Sequence, residues 1–170
     1  MPKRSRHRGL IEQLFDADFR GAQAIWVEQF LTLLVELRRV FGNDLDKVII
    51  LSAIGQQSLL DPAGPTVGRI EAISIVAREQ SKRRTNIDAL VRATGIPRES
   101  VRRKVNELAD ERLVCRIDGG ISIDPGAATK LARATNIEVA MLDEVVAAYL
   151  ARLEAIGAAR VSRPGRNERG

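Results

Sequence analysis

The stretch Asn86–Leu108, NIDALVRATGIPRESVRRKVNEL, holds the densest set of side chains that could do chemistry. On a helix turning about 100° per residue, the segment Pro97–Glu111 puts Val101, Val105 and Leu108 on one narrow arc, which must face a core. The opposite side carries Glu99, Arg103 and Asn106, flanked by Arg102 and Ser100. This mixture of donors and acceptors suits the reading of base edges. Arginine donates to guanine O6 and N7, asparagine pairs with adenine, and glutamate accepts from cytosine N4. Arg98 and Ser100, at the amino end, suit phosphates or the first base contacts. Lys82, Arg83 and Arg84 lie just upstream and suit phosphates. The run Arg102-Arg103-Lys104 is also the ordinary composition of a solvated helix face.

Other chemistries find little support. The chain of 170 residues has one cysteine, Cys115, and one histidine, His7. A Cys/His zinc site needs about four ligands, and a Ser-His-Asp or Cys-His pair would have to use His7, in a basic tail with no evident role. Cys115 reads as a structural thiol rather than a redox sensor, since no second Cys or nearby His assists it. Phosphate-loop, dinucleotide, metalloprotease and nucleophile-elbow patterns are absent. Asp143 and Glu144 sit in a periodic helix as surface charges. No enzyme activity, cofactor or metal is therefore expected. The basic start MPKRSRHRGL has no apolar signal core after it, and apolar runs such as VIILSAIG fall short of the roughly 20 residues that span a bilayer. The expectation is a cytoplasmic protein without a membrane partner.

Charge is unevenly placed. Net charge is +5. Residues 1–9 carry +4, residues 157–170 carry +3 and residues 81–116 carry +5, so subtraction from the total leaves −7 for the remainder. Positive charge gathered into two tails and one window, on an acidic body, is the footprint expected for phosphate backbones.

The elements that must position these groups are mainly helical. Ala22–Phe41 repeats apolar residues at three- and four-residue steps (Ile25, Trp26, Phe30, Leu33, Leu34, Leu37), predicting an amphipathic helix. Gly42-Asn43-Asp44 ends it and caps a buried helix over Leu45–Ser58. A loop over Asp61–Pro65 and a third helix over Val67–Gln80 follow. Asn86 caps a short helix over Ile87–Thr94, Gly95 ends it, and Pro97 fits the first turn of the next. Two β-branched runs around Asp118-Gly119-Gly120 predict a hairpin. Asp124-Pro125 opens another helix, and a long amphipathic helix runs from Ile137 through Leu142, Val145, Val146, Tyr149, Leu150, Leu153 and Ile156. Trp26 and Tyr149 read as core or interface anchors.

Helix, glycine turn, helix with an inward valine, and hairpin form the order of a winged helix-turn-helix. ALVRATGIPRESVRRKVNELADERLV followed by RIDGGISI resembles the DNA-binding core of MarR-type bacterial transcription regulators. Gly95 matches the family's turn glycine, Val101 its inward aliphatic residue, and Asp118-Gly119-Gly120 its wing tip. The chain departs from the family pattern at Val91, where a small residue is usual, and at Thr94, often a leucine. The resemblance implies a winged core over 67–124. Around it lie supporting or dimerising helices over 10–66 and 125–160, with basic disordered tails over 1–9 and 161–170. It implies a sequence-specific regulator of double-stranded DNA, with the recognition helix in the major groove. The wing, including Arg116, would lie on the backbone or minor groove. Arg116 could equally pair with Glu111. Apolar surface left over on the terminal helices predicts a symmetric homodimer, and the resemblance leaves room for a small-molecule effector between the dimer helices and the core. The alternative is a winged-helix module that binds proteins and never touches DNA.

Overall fold

The computed structural model describes residues 6–59 and 84–161. The predicted loop over 61–65, the helix over 67–80, and Lys82 and Arg83 lie outside these residues. Among the described residues the chain is mainly helical, with one small antiparallel hairpin.

Helix α1 (Arg6–Ala17) starts inside the segment expected to be a disordered tail. Helix α2 (Phe19–Val40) starts three residues before Ala22. Helix α3 (Leu45–Leu59) is capped as expected: the Asp44 carboxylate accepts from the backbone N–H of Lys47 at 3.3 Å. Then come α4 (Ile87–Thr94), α5 (Arg98–Asp110), β1 (Val114–Ile117), β2 (Gly120–Ile123), a 3-10 turn at Pro125–Ala127, and α6 (Ala128–Val161). The helix expected to open at Asp124-Pro125 and the long helix expected from Ile137 are one: after the 3-10 turn, α6 runs unbroken through both.

The chain divides into two compact units, Met1–Leu33 with Glu138–Gly170, and Leu34–Ile137. In the first, Leu14, Ala22 and Val145 are buried, Tyr149 donates to the carbonyl of Ala22 at 3.3 Å, and Arg152 pairs with Asp18. Much apolar surface stays open there, including Phe19, Val27 and Leu31 on α2, and Leu142, Val146 and Leu150 on α6. Trp26 is no core residue: it is 39% exposed and stacks on Phe30 at 5.4 Å.

In the second unit α3 packs on α4, α5 and β2, while α4 packs on α5 and α5 on β1. Its core gathers Ile50, Leu51 and Ile54 with Leu90, Val101, Val105, Leu108, Val114, Ile121 and Ile123. α3 is not buried on every side, for Ile49 is 46% exposed. The hairpin pairs Val114 with Ile123 and Ile117 with Gly120, so its loop is only Asp118-Gly119. Both loop residues have positive φ, 45° and 78°, the twist that a tight two-residue hairpin requires. All four residues of β2 are buried. Thr85 adds a bridge to Ile121, with two backbone hydrogen bonds of 2.9 and 3.1 Å, tying the segment before α4 to the hairpin.

Candidate nucleic-acid interface

The helix pair is fixed by local chemistry. Asn86 caps α4, its side-chain oxygen accepting from Ala89 N–H at 2.9 Å. Gly95 ends α4 in the left-handed region, φ 70°, and its N–H reaches the Val91 carbonyl at 2.9 Å. Thr94 closes the turn: its hydroxyl donates to the Leu90 carbonyl at 2.7 Å and accepts from Ile96 N–H at 3.2 Å. Pro97 stands at the cap of α5 rather than inside its first turn.

Val101, Val105 and Leu108 of α5 are wholly buried, which turns the opposite side outward. Arg98, Glu99, Arg102, Arg103 and Asn106 are exposed, and Ser100 is half-buried. Glu99, Arg102, Arg103, Asn106, Glu107 and Asp110 line one shallow open concavity along the helix. Glu107 and Asp110 were not among the residues read from the sequence, although Asp110 falls on the same outward arc of the helical wheel. Arg116, on β1, donates from Nη2 to Asn106 Oδ1 at 2.8 Å, and so joins the hairpin to the helix face. Asn106 is thus its partner, and Glu111 is not.

Lys104 does not belong to a solvated face with Arg102 and Arg103. It is 8% exposed, pairs with Asp44, and reaches Glu107 at 3.3 Å. Its place on the wheel explains this, for it lies beside the arc of Val101, Val105 and Leu108. Lys104 opens a chain of alternating charges. Glu107 also meets Lys47 at 3.0 Å, Lys47 meets Glu111 at 2.7 Å, and Glu111 meets Lys130 at 2.9 Å. Lys47 hydrogen bonds hold the carboxyls of Glu107 and Glu111 below their ordinary value, against a smaller opposing effect of burial. Burial pushes the Asp44 carboxyl up, but the bonds from Lys104 and from Lys47 N–H outweigh it and leave it lowered. The Lys47 ammonium is raised, chiefly by its bond to Glu111.

Several surface cations already have anionic partners. Arg98 pairs with Asp88, Arg103 with Glu107 at 3.3 Å, and Arg84 with Asp118 at 2.8 Å. Exposed pairs of this kind are worth about 0–1 kcal/mol, so a phosphate or a base edge can displace the carboxylate at small cost. Arg102 makes no ion pair among the described residues. Cys115 is half-buried, with Sγ 3.7 Å from the Ile123 carbonyl; burial, and then the charge of Asp124, raise its thiol pKa and keep it protonated.

Comparison with family models, curated proteins and solved structures finds no match for this chain. Among the described residues, no helix is long and apolar enough to cross a membrane, and no group of His, Cys, Asp and Glu is arranged to hold a metal ion.

Proposed function

We propose that the chain is a sequence-specific DNA-binding transcriptional regulator of the winged helix-turn-helix kind, without enzymatic activity. In this reading α5 enters the major groove and the β1–β2 hairpin lies on the backbone or minor groove. The observation that carries it is the shared surface of α5 and the hairpin. A helix with an apolar back presents Glu99, Arg102, Arg103 and Asn106 outward, and Arg116 of β1 bonds directly to that row. Base reading needs such a fixed set of mixed donors and acceptors on a rigid helix. The bridge between Thr85 and Ile121 supports the same reading, because it roots the hairpin beside the helix pair.

A single recognition helix covers few base pairs, and two-fold pairing supplies length and affinity. The exposed Leu142, Val146 and Leu150, spaced four apart on α6, support a homodimer through the unit that contains them. A small-molecule effector remains part of the proposal as an additional partner.

Titration of a labelled random-sequence duplex by fluorescence anisotropy at two salt concentrations tests the reading. Steep weakening with salt is expected, since each phosphate contact releases counterions. One observation favours a protein-binding module instead: the pairs Arg84–Asp118, Arg98–Asp88 and Arg103–Glu107 offset much of the surface positive charge. Absence of binding even at low salt would sink the DNA reading in favour of that module.

A further inference from the structure

The bond between Arg116 and Asn106 decides what Asn106 can read. A guanidinium has donors and no acceptor, so the atom of Asn106 that faces it must be the carbonyl oxygen. The amide nitrogen then points away from Arg116, and Asn106 Nδ2 has no partner among the described residues. An asparagine recognises adenine by giving one hydrogen bond to N7 and taking one from N6. Here the accepting half is engaged at 2.8 Å by a cation. Adenine N6–H₂, itself a donor, would have to share that oxygen with a positive charge. Oδ1 keeps a second lone pair, but a base donor reaching it would lie against the guanidinium, so the groups of Asn106 open to a base without that conflict are the two Nδ2–H donors. Two neighbouring acceptors on one base edge in the major groove are the signature of guanine, with its N7 and O6.

Resting on the DNA-binding reading above, we infer that Arg116 is a specificity-determining positioning residue: by setting a cation on Oδ1 of Asn106 it turns an adenine-reading side chain into one that presents its Nδ2–H donors and selects guanine. The Asn106–Arg116 pair is exposed on both sides, so either residue can be changed without opening the core.

The experiment is selection of sites from a random duplex library by the wild-type protein and by the variants Asn106→Ala, Asn106→Asp and Arg116→Met. Competition anisotropy on the enriched sites follows. The position read by Asn106 is the one whose preference Asn106→Ala flattens. Wild type is expected to favour guanine over adenine there by about tenfold or more. Asn106→Asp, which keeps a partner for Arg116 but loses the Nδ2–H₂ donors, should lose the guanine preference. Arg116→Met, which frees Oδ1, should turn that one position towards adenine and leave the others unchanged. Adenine preference in the wild type, or an Arg116→Met profile identical to the wild type, overturns the inference while the DNA reading stands. A uniform loss of affinity across all positions makes the pair a phosphate clamp and overturns it too. Failure of the wild type to bind or enrich any duplex removes the DNA reading, and this inference with it.

Discussion

Arg102 and Lys104 stand two positions apart on α5 and face opposite ways, so the same substitution should act on different properties at each. Arg102 is exposed and makes no ion pair among the described residues. Arg102→Ala should leave the urea midpoint within about 0.5 kcal/mol of wild type while lowering DNA affinity and the salt slope by about one counterion. Lys104 is nearly buried between Asp44 and Glu107, with its ammonium opposite two carboxylates. Lys104→Ala strips the Asp44 carboxylate of its cation, while Glu107 keeps Lys47 at 3.0 Å, and should cost about 3 kcal/mol in urea unfolding. Equal stability of the two variants would refute this division. Arg103→Ala is expected to cost about 1–3 kcal/mol on a selected site and to relax sequence preference at a single position. Competition against random duplex measures that cost, and unchanged specific binding would remove Arg103 from the reading face.

The helix pair depends on one left-handed turn and one chain of ion pairs. A Cβ at Gly95 would meet nothing within 4 Å, so the cost of Gly95→Ala comes from its φ of 70° alone. About 1 kcal/mol is expected by thermal or urea unfolding, and less for Gly95→Asn, which tolerates that conformation better. The charges running from Asp44 and Lys104 through Glu107, Lys47 and Glu111 to Lys130 join α3, α5 and α6 at the back of α5. Their carboxyls titrate lower in the fold than in the unfolded chain, whose ordinary values are 3.8 for Asp44 and 4.5 for Glu107 and Glu111. The unfolded state therefore takes up protons first. The stability these groups contribute is complete above about those values and is lost as pH falls through the lower folded ones. Urea midpoints measured from pH 7 to pH 3 should be flat and then drop below about pH 4.5. In Glu107→Gln the drop should be shallower, because one of the linked groups no longer titrates. A midpoint that rises on acidification would contradict the assignment.

At the scale of the whole molecule, the open apolar stripe on α6 is the feature most in need of a partner. Leu142, Val146 and Leu150 are each more than half exposed, at 53%, 53% and 51%. Sedimentation at micromolar concentration should give twice the chain mass. Val146→Glu should give a monomer that keeps its helical circular dichroism and loses affinity for a selected two-fold site far more than for random duplex. A monomeric wild type would count against two-fold reading of DNA and return α6 to some other role.

Much of this arrangement was legible in the chain itself. The boundaries of α4, the Asn86 and Asp44 caps, the Gly95 stop and the inward Val101, Val105 and Leu108 follow from rules that act within a few residues. Local backbone sterics and helical periodicity decide such features, so neighbours in sequence suffice to reveal them. The amino-terminal start of α1, the unbroken α6 and the half-open state of α3 were not legible, since they depend on which helix faces find cover. The ion pairs were hidden for the same reason. Lys104 meets Asp44 across 60 positions and Lys47 meets Glu111 across 64. In sequence Lys104 is one more cation in an arginine run. The bond from Arg116 to Asn106 spans only ten positions, yet it exists because the hairpin folds back over α5. Residue type and spacing set the helical face that could meet a nucleic acid. Only the tertiary fold decided which of its polar atoms are already engaged, because long side chains choose their partners by proximity in space.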